Sequence, residues 1–293
     1  MFPVVDVTQW PDDEVDEQLG TKEKSWLRHP GGQRWLFKEV RSSSEGIRGE
    51  DWAEKVVAQL AQRVGLPVAT VELAMRAERR GIISQNFVPD GARLEHGNEL
   101  LVRIDAEYDK DQTRRNDRYT VDAIELALAD ASPPDAYVIE GLTAFDIWAG
   151  YVALDAWVAG RDRHHENWGV IAGPEQRRVL APSFDHGNAL GFQESDERCQ
   201  ALVSSPASME KWAARGTSHH FAGRPTLVDV AHEAMRRSTD AARSIWLPNI
   251  ASVTEAEVAE IVDLVPSEKM SEPSRNFCKA LLMLNQRRLC DVD

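Results

Sequence analysis

An α+β fold in two lobes is what this sequence predicts, on three observations. Up to about residue 88 the chain shows β-prone runs around one amphipathic helix, beyond Pro89 its patterns are mainly helical, and the change falls on a short connection at residues 85 to 92. Residues 1–88 are therefore assigned to a small β-rich lobe and residues 89–293 to a larger helical one. Neither part contains an internal repeat or a low-complexity tract.

The small lobe opens with "KSWLRHPGGQRWLFKEV", in which apolar and polar residues alternate on both sides of Pro30-Gly31-Gly32, the chemistry of a β-hairpin turn. Before it, "LGTKEKS" combines the permissive Gly20 with Lys22 and Lys24, a pattern suited to a loop over phosphates but shared with ordinary surface turns. It is not a P-loop, which needs a second Gly followed by Lys and Ser or Thr. From Glu50 the residues Trp52, Val56, Leu60 and Val64 form one helical stripe, and Gly65 and Pro67 supply the stop. "PVATVELAMRA" and "RGIISQNFV" then predict a second strand pair. In the larger lobe helices are predicted over "YTVDAIELALADA", Phe145 to Ala159, "EAEVAEIVDLV" and "RNFCKALLMLNQRRL". The second of these carries Ile147, Tyr151, Leu154 and Val158 at helical spacing; Asp146 and Asp155 mark it as a buried helix rather than a membrane span.

Composition narrows the function classes. Hydrophobic residues at 42% and charged ones at 28% describe an ordinary globular protein. A formal charge of −14 argues against a general nucleic-acid or anionic-membrane binder, since both need a basic face to displace counterions. Cys199, Cys278 and Cys290 have no paired or metal-ligand spacing, and no secretory leader is visible, so a cytoplasmic location with reduced thiols is expected.

The most informative stretch is "VAGRDRHHENWGVI", residues 158–171, where a polar run separates an apolar helix from an apolar strand. The continuation "WGVIAGPEQRRVLAPSFDHGNALGF" reads as a hairpin broken at Gly173-Pro174. Opposite residues of an antiparallel pair lie about 4.5–5.5 Å apart, so Asn167 at its entrance and Asp185 at its exit are expected to meet. Their side-chain oxygens suit a shared hard cation such as Mg²⁺, with Asp162 beside them as a carboxylate not consumed by the metal. Phosphoryl transfer needs such a metal, a base for the attacking hydroxyl and a lysine on the nucleotide. Lys38, at the end of "RWLFK", is the candidate lysine, and Glu54 on the following helix is the expected partner of its ammonium. Glu50 and Asp51 compete with Glu54 for that part.

"GRDRHHENWGV" with "LAPSFDHGNALGF" resembles the HipA-like kinase family, and Asp-Arg-His followed by Glu-Asn is similar to the catalytic loop of phosphatidylinositol kinases. "EKVVAQLAQRVGLPV" resembles the family's helix, and "GIISQNFVPDGARLEHGNELL" its hinge strand and the start of its second lobe. The resemblance covers about residues 18 to 225 and implies a protein-kinase-like fold, ATP and Mg²⁺, and phosphorylation of serine or threonine on protein. It implies Asp162 as base, Asn167 and Asp185 as metal ligands, and Lys38 on the α and β phosphates. It also implies Gly20, Thr21, Lys22 and Lys24 in the phosphate loop, and Gln85, Asn86 and Phe87 along the adenine. An antitoxin-like partner belongs to the toxin members, but this chain lacks room for the extra amino-terminal subdomain of the larger toxin kinases. It also has His186 where eukaryotic protein kinases place Phe, and it has no Ala-Pro-Glu landmark.

Transfer to a lipid or small-molecule hydroxyl, and a nucleotide-binding module without turnover, are the alternatives to a protein kinase. A zinc site at His164, His165, Glu166 and Asp185 is disfavoured, because adjacent histidines point apart and there is no His-Glu-x-x-His helix; His186, His219 and His220 are expected on the surface or in loop packing. Ser25, Ser42 to Ser44, Ser195, Ser204, Ser205, Ser208, Thr217 and Ser218 are the hydroxyls open to autophosphorylation.

Overall fold

The computed structural model describes residues 1–13, 24–43, 46–134, 137, 141–174 and 177–290. It begins with β1 (Val4–Asp6), β2 (Lys24–Arg28), β3 (Arg34–Glu39), the two-residue strands β4 (Ser42–Ser43) and β5 (Gly46–Ile47), helix α1 (Glu50–Arg63), β6 (Val71–Arg76) and β7 (Arg79–Gln85). Five of these strands form one sheet in the order β1-β6-β7-β3-β2. The β2-β3 hairpin pairs Lys24 with Lys38, and its turn holds Gly32 at φ 90°, a conformation glycine adopts without penalty. On the other side β3 pairs with β7, setting Lys38 opposite Ile82. A Cβ at Gly81 would lie 2.5 Å from the Lys38 carbonyl oxygen, so glycine there lets β7 close onto the strand that carries the lysine. Strand β1 joins β6 in parallel, Val4 against Leu73, a pairing too short and too distant in the chain for periodicity to reveal.

The remainder runs through β8 (Arg93–His96), α2 (Gly97–Ile104), α3 (Val121–Ala127), α4 (Ala144–Val158), β9 (Gly169–Ala172), β10 (Arg178–Leu180), α5 (Asp196–Val203), α6 (Pro206–Ala214), α7 (Leu227–Arg237), α8 (Asp240–Arg243), α9 (Trp246–Ala251), α10 (Glu255–Asp263) and α11 (Glu272–Cys290). Helix α4 is its centre, packing against α7 and α11. Thr143 and Asp146 form a capping box at its start, and every residue from Ala144 to Val158 is buried, as befits a helix that is apolar on all sides. Its two internal acids are satisfied rather than exposed: Asp146 accepts from Thr143 and from the Thr239 amide at 2.8 Å, and Asp155 meets Arg163. Ala159, at φ 54°, ends the helix in a left-handed cap and turns the chain into the polar run that follows.

Helix α1 belongs to both halves. Trp52, Val56, Leu60 and Val64 join Trp148, Leu154 and the α11 leucines in one apolar cluster, while the other face of the sheet buries Val7, Leu27, Phe37, Ala74 and Ile83. Polar ties reinforce this seat. The fully buried Asp51 accepts from Arg80 at 2.6 and 2.7 Å and lies 3.3 Å from the Lys269 ammonium, and Arg80 also donates to the Lys269 carbonyl. At the far end Arg63 donates to Glu257 on α10, and the Asn249 amide donates to the Val64 carbonyl.

Candidate active site

The β9-β10 hairpin pairs Leu180 with Val170, with β8 on the other edge of β9, and Ala181 N–H to Gly169 O (2.9 Å) extends the pairing one step. The exit strand then crosses to the small lobe, where Ser183 N–H donates to Pro67 O at 2.9 Å, and it delivers Asp185 in the left-handed region, φ 60°, which Asp tolerates better than most residues. Asn167, at the hairpin entrance, and Asp185 both line a cavity of about 490 Å³ between the lobes, and Lys24, Lys38, Gln85, Asn86 and Phe87 share its wall. A small adjoining cleft is lined by Asp162, Asn167 and Asp185 together.

Lys38 is buried and sits between two acids, 3.3 Å from Asp185 Oδ1 and 3.7 Å from Glu54 Oε1. Burial alone would push its pKa down, but the charges of Asp185 and then Glu54 outweigh it and hold the ammonium above the ordinary lysine value. Of the neighbouring acids on α1, Asp51 is engaged with Arg80 and Lys269, and Glu50 accepts from the Arg41 amide at 3.1 Å.

Asp162 keeps 39% of its side chain exposed on the rim, and its Oδ1 is 3.1 Å from His220 Nε2. Desolvation raises its pKa, but the His220 hydrogen bond, with the charges of His164 and His220, holds the carboxyl below the usual aspartate range. The Asn167 amide nitrogen donates to the Asp162 carbonyl at 2.7 Å, which fixes the turn and commits that nitrogen.

Arg163 holds these parts in register. Its buried guanidinium donates to both oxygens of Asp155 at 2.8 Å, to the Asn167 carbonyl at 2.9 Å and to Ser183 Oγ at 3.1 Å, linking α4, the polar loop and the strand that leads to Asp185. The two adjacent histidines diverge. His164 lines the cavity and accepts from the Glu166 amide on Nδ1, while His165 is buried against the Tyr108 hydroxyl at 2.7 Å, its pKa pushed to about 4 chiefly by burial. Part of the cavity wall is aromatic: Phe87 and Phe184 pack with centroids 5.5 Å apart, and His96 meets Phe184 edge-on. Asn86 lines the cavity with its amide closed on the Val88 backbone, so its side chain shapes the connection.

Gly20, Thr21 and Lys22 lie outside the described residues, and Lys24 is the member of that loop seen at the cavity. His220, Asp155 and Phe184 were not singled out from the sequence as site residues. Phe184 adjoins Asp185 in the quoted motif; His220 had no local signal. Several hydroxyls in the segment after Asp185 have structural tasks: Ser195 caps α5, Ser205 caps α6 and Ser218 is buried.

No family model matches the sequence, and no curated protein matches it. Solved structures do. A proinflammatory kinase of Helicobacter pylori, CtkA, superposes with a TM-score of 0.75 at 17% identity, over 99% of this chain and 96% of that one. HipA of the Shewanella oneidensis MR-1 toxin–antitoxin system, in the structure of HipA, HipB and operator DNA, superposes with a TM-score of 0.51 at 14% identity, over 97% of this chain and 70% of that one. With its β-rich first part, its helical second part and the cavity between them, the chain has the kinase-like fold of the HipA-like kinases, whose motifs its own residues resemble.

Proposed function

We propose that the chain is a Mg-ATP-dependent phosphotransferase whose acceptor is a serine or threonine hydroxyl of a protein, its own chain included. The observation that carries this reading is the Lys38 ammonium, buried between Glu54 of α1 and Asp185 on the wall of a cavity that Asn167 also lines. At about 490 Å³ the cavity lies within the range of roughly 300–1,000 Å³ typical of small-molecule sites. Its aromatic lining suits a base, and its lysines suit phosphates.

Asn167 and Asp185 are the residues that would hold Mg²⁺. Both present hard oxygen donors, and because the Asn167 nitrogen is committed to Asp162, its oxygen is the atom left for a cation. When bound, the ion neutralises phosphate charge. Lys38 then supports the α and β phosphates. Asp162, ionised at neutral pH, accepts the hydroxyl proton as that oxygen bonds to the γ-phosphorus; the bond from phosphorus to the bridging oxygen breaks, and ADP leaves with the electron pair. Gln85 and Phe87 would border the adenine.

The test is incubation of the purified chain with labelled ATP and Mg²⁺, alone and with a cell lysate, beside Asp162→Asn and Asp185→Asn. Label on protein that both substitutions abolish is the expected result, with nucleotide binding kept by Asp162→Asn and its metal dependence weakened in Asp185→Asn. Label in the lipid fraction would move the acceptor to a lipid, and binding without transfer to any fraction would reduce the chain to a nucleotide-binding module.

A further inference from the structure

The chain carries 48 acids against 34 lysines and arginines, yet among the described residues a group of arginines that form no pair with a carboxylate lies around the loop that His220 ties to Asp162. Arg118, Arg236 and Arg237, in the same part of the molecule, each lie on a carboxylate. Among the described residues no such pair is formed by Arg114, Arg115, Arg161 or Arg224. Two segments hold them there. Residues 217–226 close on themselves through a Thr217–Thr226 bridge and Ser218 N–H to Pro225 O at 2.9 Å, which leaves Arg224 exposed at the turn. Residues 113–119 run alongside, tied by Arg115 N–H to His219 O and by Ala222 N–H to Tyr119 O, both 3.0 Å, and by His220 Nδ1 to the Thr113 carbonyl.

This paired loop is anchored to Asp162 through His220 Nε2. Arg161, the residue preceding the base, is half-buried, with its guanidinium against His219 Nε2 and the Thr217 carbonyl, so it is aimed by the loop rather than swept through solvent. Arg114 and Arg115 are exposed on the segment that the Arg115 amide ties to His219, the residue Arg161 meets. The positive charges converge: after burial, Arg161, His220, Arg114 and Arg224 all push the His219 imidazole below the ordinary histidine value.

We propose that Arg161, with Arg114, Arg115 and Arg224 around it, is an anion-recognition site for the acceptor, so that the hydroxyl offered to Asp162 sits in a peptide segment with acidic residues beside it. This rests on the kinase reading and assigns its substrate class. A guanidinium fork binds carboxylates with directional, charge-assisted hydrogen bonds, and a local basic patch attracts an acidic segment that the surrounding negative surface would otherwise repel. That overall negative charge also favours a peptide over an anionic membrane, because a peptide reaches the patch without bringing a broad charged plane against the rest of the protein.

The test uses the full chain, shown by intact mass to be unphosphorylated, and equal-length peptides with one serine flanked by Asp and Glu or by Lys and Arg. Binding is read by fluorescence anisotropy with Mg²⁺ and a non-hydrolysable ATP analogue, and transfer is read separately with labelled ATP. The acidic peptide should bind about tenfold tighter than the basic one at low salt, and the margin should shrink as ionic strength rises. Arg161→Gln should remove most of the preference, as should Arg114→Gln with Arg224→Gln, two exposed sites that report even if the half-buried Arg161 proves necessary for folding; thermal midpoint and nucleotide affinity serve as folding controls. Equal binding of the two peptides, a preference for the basic one, or a preference that survives both sets of substitutions overturns the proposal. Phosphoinositide micelles accepting phosphate while every peptide is inert would overturn it in favour of a lipid headgroup. Acidic-peptide binding without transfer to any acceptor would leave the anion site standing and defeat the kinase reading instead.

Discussion

Replacing Asp155 with Asn isolates the contribution of the buried brace behind the candidate site. Asp155 and Arg163 have 7% and 5% of their side chains exposed, so neither charge has water to fall back on. The guanidinium makes four hydrogen bonds to three groups, two of them to Asp155. Removing one partner of a buried pair strands the other charge, at a cost of about 3–5 kcal/mol. At roughly 2–4 °C per kcal/mol for larger domains, the thermal midpoint should drop by about 6–20 °C. Arg163→Lys keeps the charge but cannot span Asp155, Asn167 and Ser183 at once, so it should lose a comparable amount and also release the polar loop. Urea denaturation gives the stability change, and nucleotide binding below the new midpoint shows whether the cavity survives. Asp155→Asn within about 1 kcal/mol of the parent would refute the view that this pair is desolvated and interdependent.

Other consequences are as direct. His220→Gln removes the ring that positions the Asp162 carboxylate; transfer should fall by about tenfold or more, with nucleotide affinity unchanged and the acid limb of the rate profile shifted toward higher pH. Asp51→Asn leaves Arg80 and Lys269 facing a neutral group between the lobes and should destabilise the chain by about 3 kcal/mol, measured by urea denaturation. On the proposed kinase reading, Lys38→Met should cut transfer by about 10²-fold or more, since it would remove a preorganised charge from the phosphates. Glu257 is held at about 2, below the ordinary 4.5, by the Thr254 amide, Arg63 and the Thr254 hydroxyl. Its folded-state pKa is depressed, so its stabilising effect is complete above the ordinary value and disappears as pH falls from about 4.5 to about 2. In thermal scans Glu257→Gln should therefore differ from the parent at pH 6 and converge with it near the bottom of that window.

Short-range chemistry makes much of this molecule legible in its sequence. Strand alternation around Pro30-Gly31-Gly32, the stripe on α1 and the breaker at Gly173-Pro174 are local patterns, and they foretold the hairpins, the helix and the polar run between α4 and β9. The expected pairing of Asn167 with Asp185 across the hairpin is not what joins them: the ladder ends at Ala181 and Gly169, Ser183 pairs with the small lobe instead, and the two residues share a cavity wall because the exit strand crosses over. Glu54 illustrates both sides: it was the expected partner of Lys38 among three acids on α1, and packing places it 3.7 Å from the ammonium while Asp51 and Glu50 engage other groups.

What the chain alone determined was thus its two-part α+β organisation and the local patterns that form its hairpins and helices. Tertiary structure decided the parallel seat of β1, the bridge from Arg163 to Asp155, and the placement of His220 on Asp162 across 58 positions of sequence. Those contacts join segments with no common period or turn, and they exist because folding buries α1 and α4 in one core and thereby fixes where the intervening loops can meet.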